Sequence, residues 1–76
     1  MNASYLQIGQ VITAAFFFRC GQFGGDLDYR IAVGSIIRKL ECFNKVLVEV
    51  DREKSYNCPT SAIWIDCNKA EISINV

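Results

Sequence analysis

The strongest β-strand signal in the sequence comes from two stretches, SAIWID at residues 61–66 and AEISINV at residues 70–76. Apolar and polar side chains take turns in both, so every second side chain lies on one face of a β-strand. Only Cys67-Asn68-Lys69 separates them, which predicts a tight turn and therefore a β-hairpin. The apolar face of this hairpin comprises Ile63, Ile65, Ile72, Ile74 and Val76.

Three more stretches have strand character. LDYRIAV (27–33) and VLVEVD (46–51) alternate with period two, and Val46, Val48 and Val50 are expected to join the same core. IGQVITAAFFFR (8–19) is apolar on both faces. A helix there would need burial on nearly all sides, which a small chain can hardly supply, and its Val, Ile, Thr and Phe favour strands. We predict a strand, with a short N-terminal helix capped by Ser4 as a variant.

The stretch at 35–43 has two interpretations. Gly34-Ser35 is expected to interrupt the preceding strand. IIRKLECF (36–43) fits a helix capped by Ser35, or a strand that turns at Asn44-Lys45. The fold that these strands favour is mainly β: a small five-stranded antiparallel barrel or curled sheet of SH3-like size. The alternative is α+β, with one helix at 35–43 packed on an antiparallel sheet. Residues 52–60 are polar and predict a loop.

Composition limits the function. The 76 residues allow one domain, 1–76, and eight Lys/Arg balance eight Asp/Glu with no His. A net charge of zero gives no long-range attraction to nucleic acid or to an anionic membrane. The missing His removes the commonest general base and metal ligand. We therefore expect a protein that is not an enzyme, has no cofactor or metal, and has no membrane partner.

The cysteines indicate a compartment. None of Cys20, Cys42, Cys58 and Cys67 belongs to a C-x-x-C element, which disfavours zinc, and no His is present to activate a nucleophilic thiol. No basic segment precedes the apolar run, as a signal peptide would require. A cytoplasmic protein with reduced thiols is the expectation. The alternative is a secreted chain whose signal peptide has been removed, and whether Cys58 and Cys67 pair stays open.

The function that fits best is a non-catalytic protein-binding module: an adaptor, a subunit or a steric inhibitor of a larger protein. Short single-domain inhibitors of this sort are often encoded by phages or other mobile elements. Trp64 lies on the strand face opposite Ile63 and Ile65, and aromatic and Arg side chains are the usual anchors of interfaces. The residues predicted to contact the partner are Trp64, Phe23, Tyr29, Arg30 and Tyr56.

Two other partners follow from the same residues. Aromatic side chains beside basic ones are typical of small β-barrels that bind single-stranded nucleic acid, which is the alternative function. Acidic side chains are interleaved with the basic ones, such as Asp28 beside Arg30, and this weakens attraction to phosphates. A homodimer through an edge strand is a further expectation, with residues 70–76 as the candidate edge.

Overall fold

The computed structural model describes residues 2–21 and 25–75, and they form a mainly β domain. Five antiparallel strands make one sheet in the order β4-β3-β2-β1-β5. The sheet is not closed into a barrel, so of the two expected forms only the open one is present. The strands are β1 (Val11–Cys20), β2 (Asp26–Leu40), β3 (Lys45–Val50), β4 (Ala62–Asp66) and β5 (Glu71–Ile74).

The prediction that the two strands within residues 61–76 pair with each other as a hairpin is wrong. β4 and β5 follow each other in the chain, but they lie at opposite edges of the sheet. β5 pairs instead with β1, where Ile72 lies opposite Ala14 and Ile74 opposite Ile12. Alternation fixes which face of a strand is buried, but it does not choose the neighbouring strand.

The connection from β4 to β5 requires a strongly curled sheet. The outer strands of a flat five-stranded sheet would lie about 19 Å apart. The connection is a tight turn, because the carbonyl oxygen of Asp66 accepts hydrogen bonds of 3.0 Å from the backbone N–H groups of both Lys69 and Ala70. Such a turn cannot span a flat sheet, so the two edges approach each other at this corner and the sheet folds over its own core.

β2 makes the bend between the two halves of the sheet. It pairs with β1 from Asp26 to Ser35 and with β3 from Gly34 to Leu40. A β-bulge at Ile37 follows the change of partner, and bulges of this kind bend strands at corners. Gly34 suits the corner because a Cβ atom there would overlap the carbonyl oxygen of Glu49.

Two predictions for this segment are wrong, and the bulge explains the second. The strand runs through Gly34-Ser35 without interruption, and the alternative helix at 35–43 is absent, with only a 3-10 turn at Glu41–Phe43. Ile36 is fully buried, whereas Ile37 is exposed on the other side. The extra residue shifts the alternation by one position, and consecutive apolar residues then imitate the spacing of a helix.

The core lies between the two halves of the sheet. Ile12, Ala14, Ala32 and Ile36 are fully buried in it. The prediction that the alternating Val and Ile residues share one core is confirmed, except that Ile74 on the edge strand β5 is 41% exposed. The confirmed members are Val46, Val48, Val50, Ile63, Ile65 and Ile72.

The N-terminal segment covers one end of this core with Ala3 and Leu6, both fully buried. A 3-10 turn at Ala3–Tyr5 replaces the variant helix, and Asn2 rather than Ser4 caps it. The Lys39 ammonium group holds the segment by donating to the Leu6 carbonyl oxygen at 2.7 Å. The segment is therefore part of the fold.

Candidate interaction surface

β1 and β2 extend beyond the rest of the sheet as a two-stranded ribbon. β5 pairs with β1 only as far as Ala15, and β3 pairs with β2 only from Gly34. Residues 16–20 and 26–30, which remain paired with each other, form what we call the arm. A two-stranded ribbon buries little of its own surface, so large side chains on the arm meet solvent.

One side of the arm carries apolar side chains that the core does not use. Phe17 lies opposite Tyr29, with 5.1 Å between the ring centroids, and Leu27 lies opposite Arg19. Phe17 is 68% exposed, Leu27 63% and Tyr29 37%. Single exposed apolar residues are ordinary, whereas a contiguous group of them marks an interaction site.

The loop that follows β3 adds Tyr56 to this side. Tyr56 and Ile31 form an antiparallel bridge with backbone hydrogen bonds of 3.0 and 2.8 Å. Bridged residues place their side chains on the same face, so exposed Tyr56 lies on the side that carries Tyr29. The Asn57 amide fixes the loop by donating to the Tyr29 carbonyl oxygen at 3.2 Å. We call Phe17, Leu27, Tyr29 and Tyr56 the aromatic face.

The other side of the arm holds Arg30. Its guanidinium carbon lies 4.1 Å from the centroid of the Phe18 ring, an arrangement in which the cation is attracted to the face of the ring. The Arg30 Nε atom is buried and has no hydrogen-bond partner among the described residues. Arg30 thus packs on the arm from the side opposite Tyr29.

Trp64 occupies a different surface. It is 42% exposed and lies opposite Leu47, with Ile63 and Ile65 on the core side of the same strand, as alternation predicts. β4 belongs to the half of the sheet beyond the bend of β2. Trp64 is therefore an exposed aromatic residue apart from the arm.

The structure brings together two of the five residues predicted to contact a partner. Tyr29 and Tyr56 share the aromatic face, Arg30 lies behind it, and Trp64 lies on the other half of the sheet. Phe23 lies outside the described residues. Phe17 and Leu27 are not among the predicted residues. The signal for Phe17 is that 11–19 is apolar on both faces, although one face is enough for the core. The signal for Leu27 is that it shares the alternating apolar face of 27–33 with Tyr29.

An open groove of about 530 Å³ lies on the outer side of the bend, beside the turn after β3. Its charged side chains are the carboxylates of Glu49 and Asp51 and the amino group of Lys54, all exposed. Carboxylates in open solvent lack the dry surroundings that strengthen electrostatic effects in an active site. The groove has the character of a solvated surface.

The four cysteines are all unpaired. Cys42 is exposed, whereas Cys58 and Cys67 are buried. Burial raises the pKa of both buried thiols, and nearby Arg30 offsets part of this effect on the pKa of Cys58. A raised pKa disfavours the thiolate, which is the reactive and metal-binding form. Among residues 2–21 and 25–75, no three His, Cys, Asp or Glu side chains cluster as a metal site would require.

No protein family, curated protein sequence or solved structure matches this chain. In the part of the chain that the structure describes, no helix is long and apolar enough to cross a membrane.

Proposed function

We propose that this protein is a non-catalytic protein-binding module, an adaptor, subunit or steric inhibitor of a larger protein, that holds its partner with the aromatic face of the arm. One observation carries the proposal: Phe17, Leu27 and Tyr29 lie together and exposed on a ribbon beyond the core. The curled five-stranded sheet, which is of SH3-like size, serves as the scaffold that holds this ribbon. In this proposal the protein acts in the cytoplasm.

The energetics favour this face. Burying an exposed aromatic or Leu side chain contributes about 1.5–3 kcal/mol. Phe17 and Tyr29 already pack against each other across the two strands, so less side-chain freedom is lost when a partner covers them. The matching partner surface is apolar and concave, with room for the narrow arm. Arg19, on the same face as Leu27, lies at the rim and would meet a carboxylate there.

Single-stranded nucleic acid is the alternative ligand. The arm has aromatic rings on which bases could stack, as such proteins require. Its two cations, Arg19 and Arg30, are matched by Asp26 and Asp28, so the net charge of residues 16–20 and 26–30 is zero. Phosphate binding needs an excess of positive charge, and this difference favours a protein partner.

The test compares three tagged forms of the protein in the native host. The first is the wild type, and the second carries Phe17→Ser with Leu27→Ser. The third is the control Phe43→Ser, which removes an aromatic ring of similar exposure, 65%, from the 3-10 turn that follows β2, at the end away from the arm. Captured proteins are quantified by mass spectrometry, and the captured partner is then purified for affinity measurement.

We expect one host protein that the wild type and the Phe43→Ser variant capture equally and the double arm variant does not. With purified partner, losing these anchors should weaken affinity by about thirtyfold or more. Capture of the same proteins by all three forms would overturn the proposal. Arm-dependent capture of nucleic acid that salt removes would establish the alternative instead.

A further inference from the structure

The β1 edge of the arm has backbone N–H and C=O groups that point away from β2. The carbonyl oxygen of Val11 accepts a hydrogen bond of 2.8 Å from the Asn75 N–H group, so the backbone groups of Val11 point toward β5. Successive residues of a strand point their N–H and C=O groups to opposite edges. Phe17 and Arg19 are each an even number of residues from Val11. Their N–H and C=O groups therefore point to the same edge of β1 as those of Val11.

These groups have no partner among the described residues. β5 ends its pairing with β1 at Ala15, and no other described backbone or side-chain group bonds to Phe17 or Arg19 along this edge. The far edge of β2 differs, because the loop after β3 covers it. There Ile31 pairs with Tyr56, and the Val33 N–H group donates to the Ser55 hydroxyl at 2.9 Å.

We propose that the β1 edge of the arm, residues 16–20, binds the same edge of a second copy of this chain in antiparallel register. An edge strand with open donors and acceptors is a template for another strand. The inference does not depend on the proposed function, because the open backbone groups at the edge of the arm carry it whether or not the aromatic face binds another protein. It also differs from the expected pairing through residues 70–76.

The register follows from the length of the free edge. Two-fold pairing centred on Phe18 uses all five residues from 16 to 20, whereas a centre at Phe17 would need Ala14 and Ala15, which β5 already occupies on this edge. With Phe18 at the centre, Phe17 lies opposite the partner's Arg19. Both residues point their backbone groups outward, so each such pair exchanges two hydrogen bonds and the dimer gains four.

The side chains are complementary in this register. Arg19 and Phe17 lie on the same face of β1, so each Arg19 is set beside the partner's Phe17, an aromatic ring that attracts a cation. Phe18 lies opposite the partner's Phe18 at the two-fold axis, where a pair without hydrogen bonds brings side chains closest. No like charges are opposed. The two aromatic faces would then form one continuous surface.

β4 offers another free edge, and it provides the competing outcome. Its backbone groups at Ala62 and Trp64 point outward, since those of Ser61 point toward β3 through a hydrogen bond to the Val50 N–H group. The carbonyl oxygen of Asp66 is already used by the turn to β5. The outward groups of Ala62 and Trp64 thus make β4 a free edge comparable with that of the arm, so the test must distinguish pairing through β4 from pairing through β1.

Disulfide trapping tests the register. In a Cys20→Ser, Cys42→Ser background, Phe18→Cys would place the new thiol opposite its own copy, within reach of a disulfide after a small adjustment. Phe17→Cys is the matched control, because diagonal neighbours lie about 7–8 Å apart, beyond a disulfide. Trp64→Cys reports pairing through β4. Mild oxidation should convert the Phe18→Cys protein to a covalent dimer and leave both other variants without a covalent cross-link.

A backbone variant tests the hydrogen bonds in the unmodified assembly. Arg19→Pro removes an outward N–H group that the fold does not use, and Arg19→Ala is the side-chain control. Sedimentation of the wild type should show a concentration-dependent rise from 8.6 kDa toward twice that mass. Arg19→Pro should weaken the dimer by about thirtyfold, since one hydrogen bond is lost in each copy, and Arg19→Ala should weaken it less.

Three results would overturn the inference: a wild type that stays monomeric at millimolar concentration, trapping of Phe17→Cys as fast as Phe18→Cys, or trapping only through Trp64→Cys. Its failure is distinguishable from failure of the proposed function. Partner capture that depends on Phe17 and Leu27 can occur with a monomer, and self-pairing can occur in a protein that captures no partner.

Discussion

Phe17 and Tyr29 lie directly opposite each other on β1 and β2, and their rings are tilted by 54° at a centroid separation of 5.1 Å. Such a cross-strand aromatic pair stabilises a ribbon by roughly 0.5–1.5 kcal/mol. The pair is placed where the neighbouring strands β3 and β5 have ended. It therefore holds the arm together and leaves one face of each ring available to a partner.

The core is expected to be sensitive to truncation at Ile65. This side chain is 1% exposed, so Ile65→Ala should lower the free energy of unfolding by about 2–5 kcal/mol. Ile37→Ala, at a position 39% exposed on the bulge, is the control and should cost less than about 1.5 kcal/mol. Urea denaturation measures both. Equal losses in the two variants would contradict the assignment of the core face.

Gly34 is expected to tolerate no side chain. Gly34→Ala places a Cβ atom against the Glu49 carbonyl oxygen, and a backbone atom of a central strand cannot move aside cheaply. Gly25→Ala is the matched control, since no atom of the described residues lies within 4 Å of a Cβ there. Far-UV circular dichroism and thermal unfolding should show a large loss only for Gly34→Ala. A Gly34→Ala protein as stable as the wild type would refute the bend at this position.

The thiols should react in an order set by burial. Exposed Cys42 should be alkylated first, and Cys58 and Cys67 should react slowly until the pH rises, because burial raises their pKa values. A raised pKa in the folded state means that the unfolded chain releases these protons at lower pH. Stability from these thiols is thus present below the ordinary thiol pKa and falls as the pH rises above it. Mass spectrometry of timed alkylation, with unfolding at several alkaline pH values, checks both expectations.

Trp64→Ala separates the two exposed aromatic surfaces. Trp64 is 42% exposed, so its removal should leave the thermal midpoint nearly unchanged. The loss in the free energy of unfolding should be well below the roughly 3 kcal/mol typical of a buried Trp. If the arm alone holds the partner, binding should change by less than about threefold, a difference below 1 kcal/mol. A loss of binding as large as that of Phe17→Ser would place Trp64 in the interface, as its position in the sequence first indicated.

The strands could be predicted because their side chains alternate, and the alternation also identified Val46, Val48 and Ile65 as core residues. The order of the strands could not be predicted in this way. The short connection between β4 and β5 favoured a local hairpin, whereas the curled sheet brings β5 to β1. The bend could not be predicted either, since only the tertiary contact between Gly34 and Glu49 and the bulge at Ile37 define it.

The candidate site was predictable only in part, for a related reason. The sequence analysis predicts Tyr29 and Tyr56 as partner contacts. Their shared face depends on the bridge between Ile31 and Tyr56, which are distant in the chain. Phe17 belongs to the apolar run of residues 8–19, and nothing in the sequence distinguishes it there from a core residue. Its exposure results from the early ends of β3 and β5, and strand lengths are set by pairing across the sheet.

The affinity of purified Phe17→Ser for the captured partner, measured together with its free energy of unfolding, tests whether the aromatic face is the binding surface. We expect affinity to fall by about thirtyfold or more while stability changes by less than about 1.5 kcal/mol, because Phe17 is 68% exposed. Phe43→Ser should change neither. Unchanged affinity in a folded Phe17→Ser protein would contradict the assignment of the aromatic face as the binding surface.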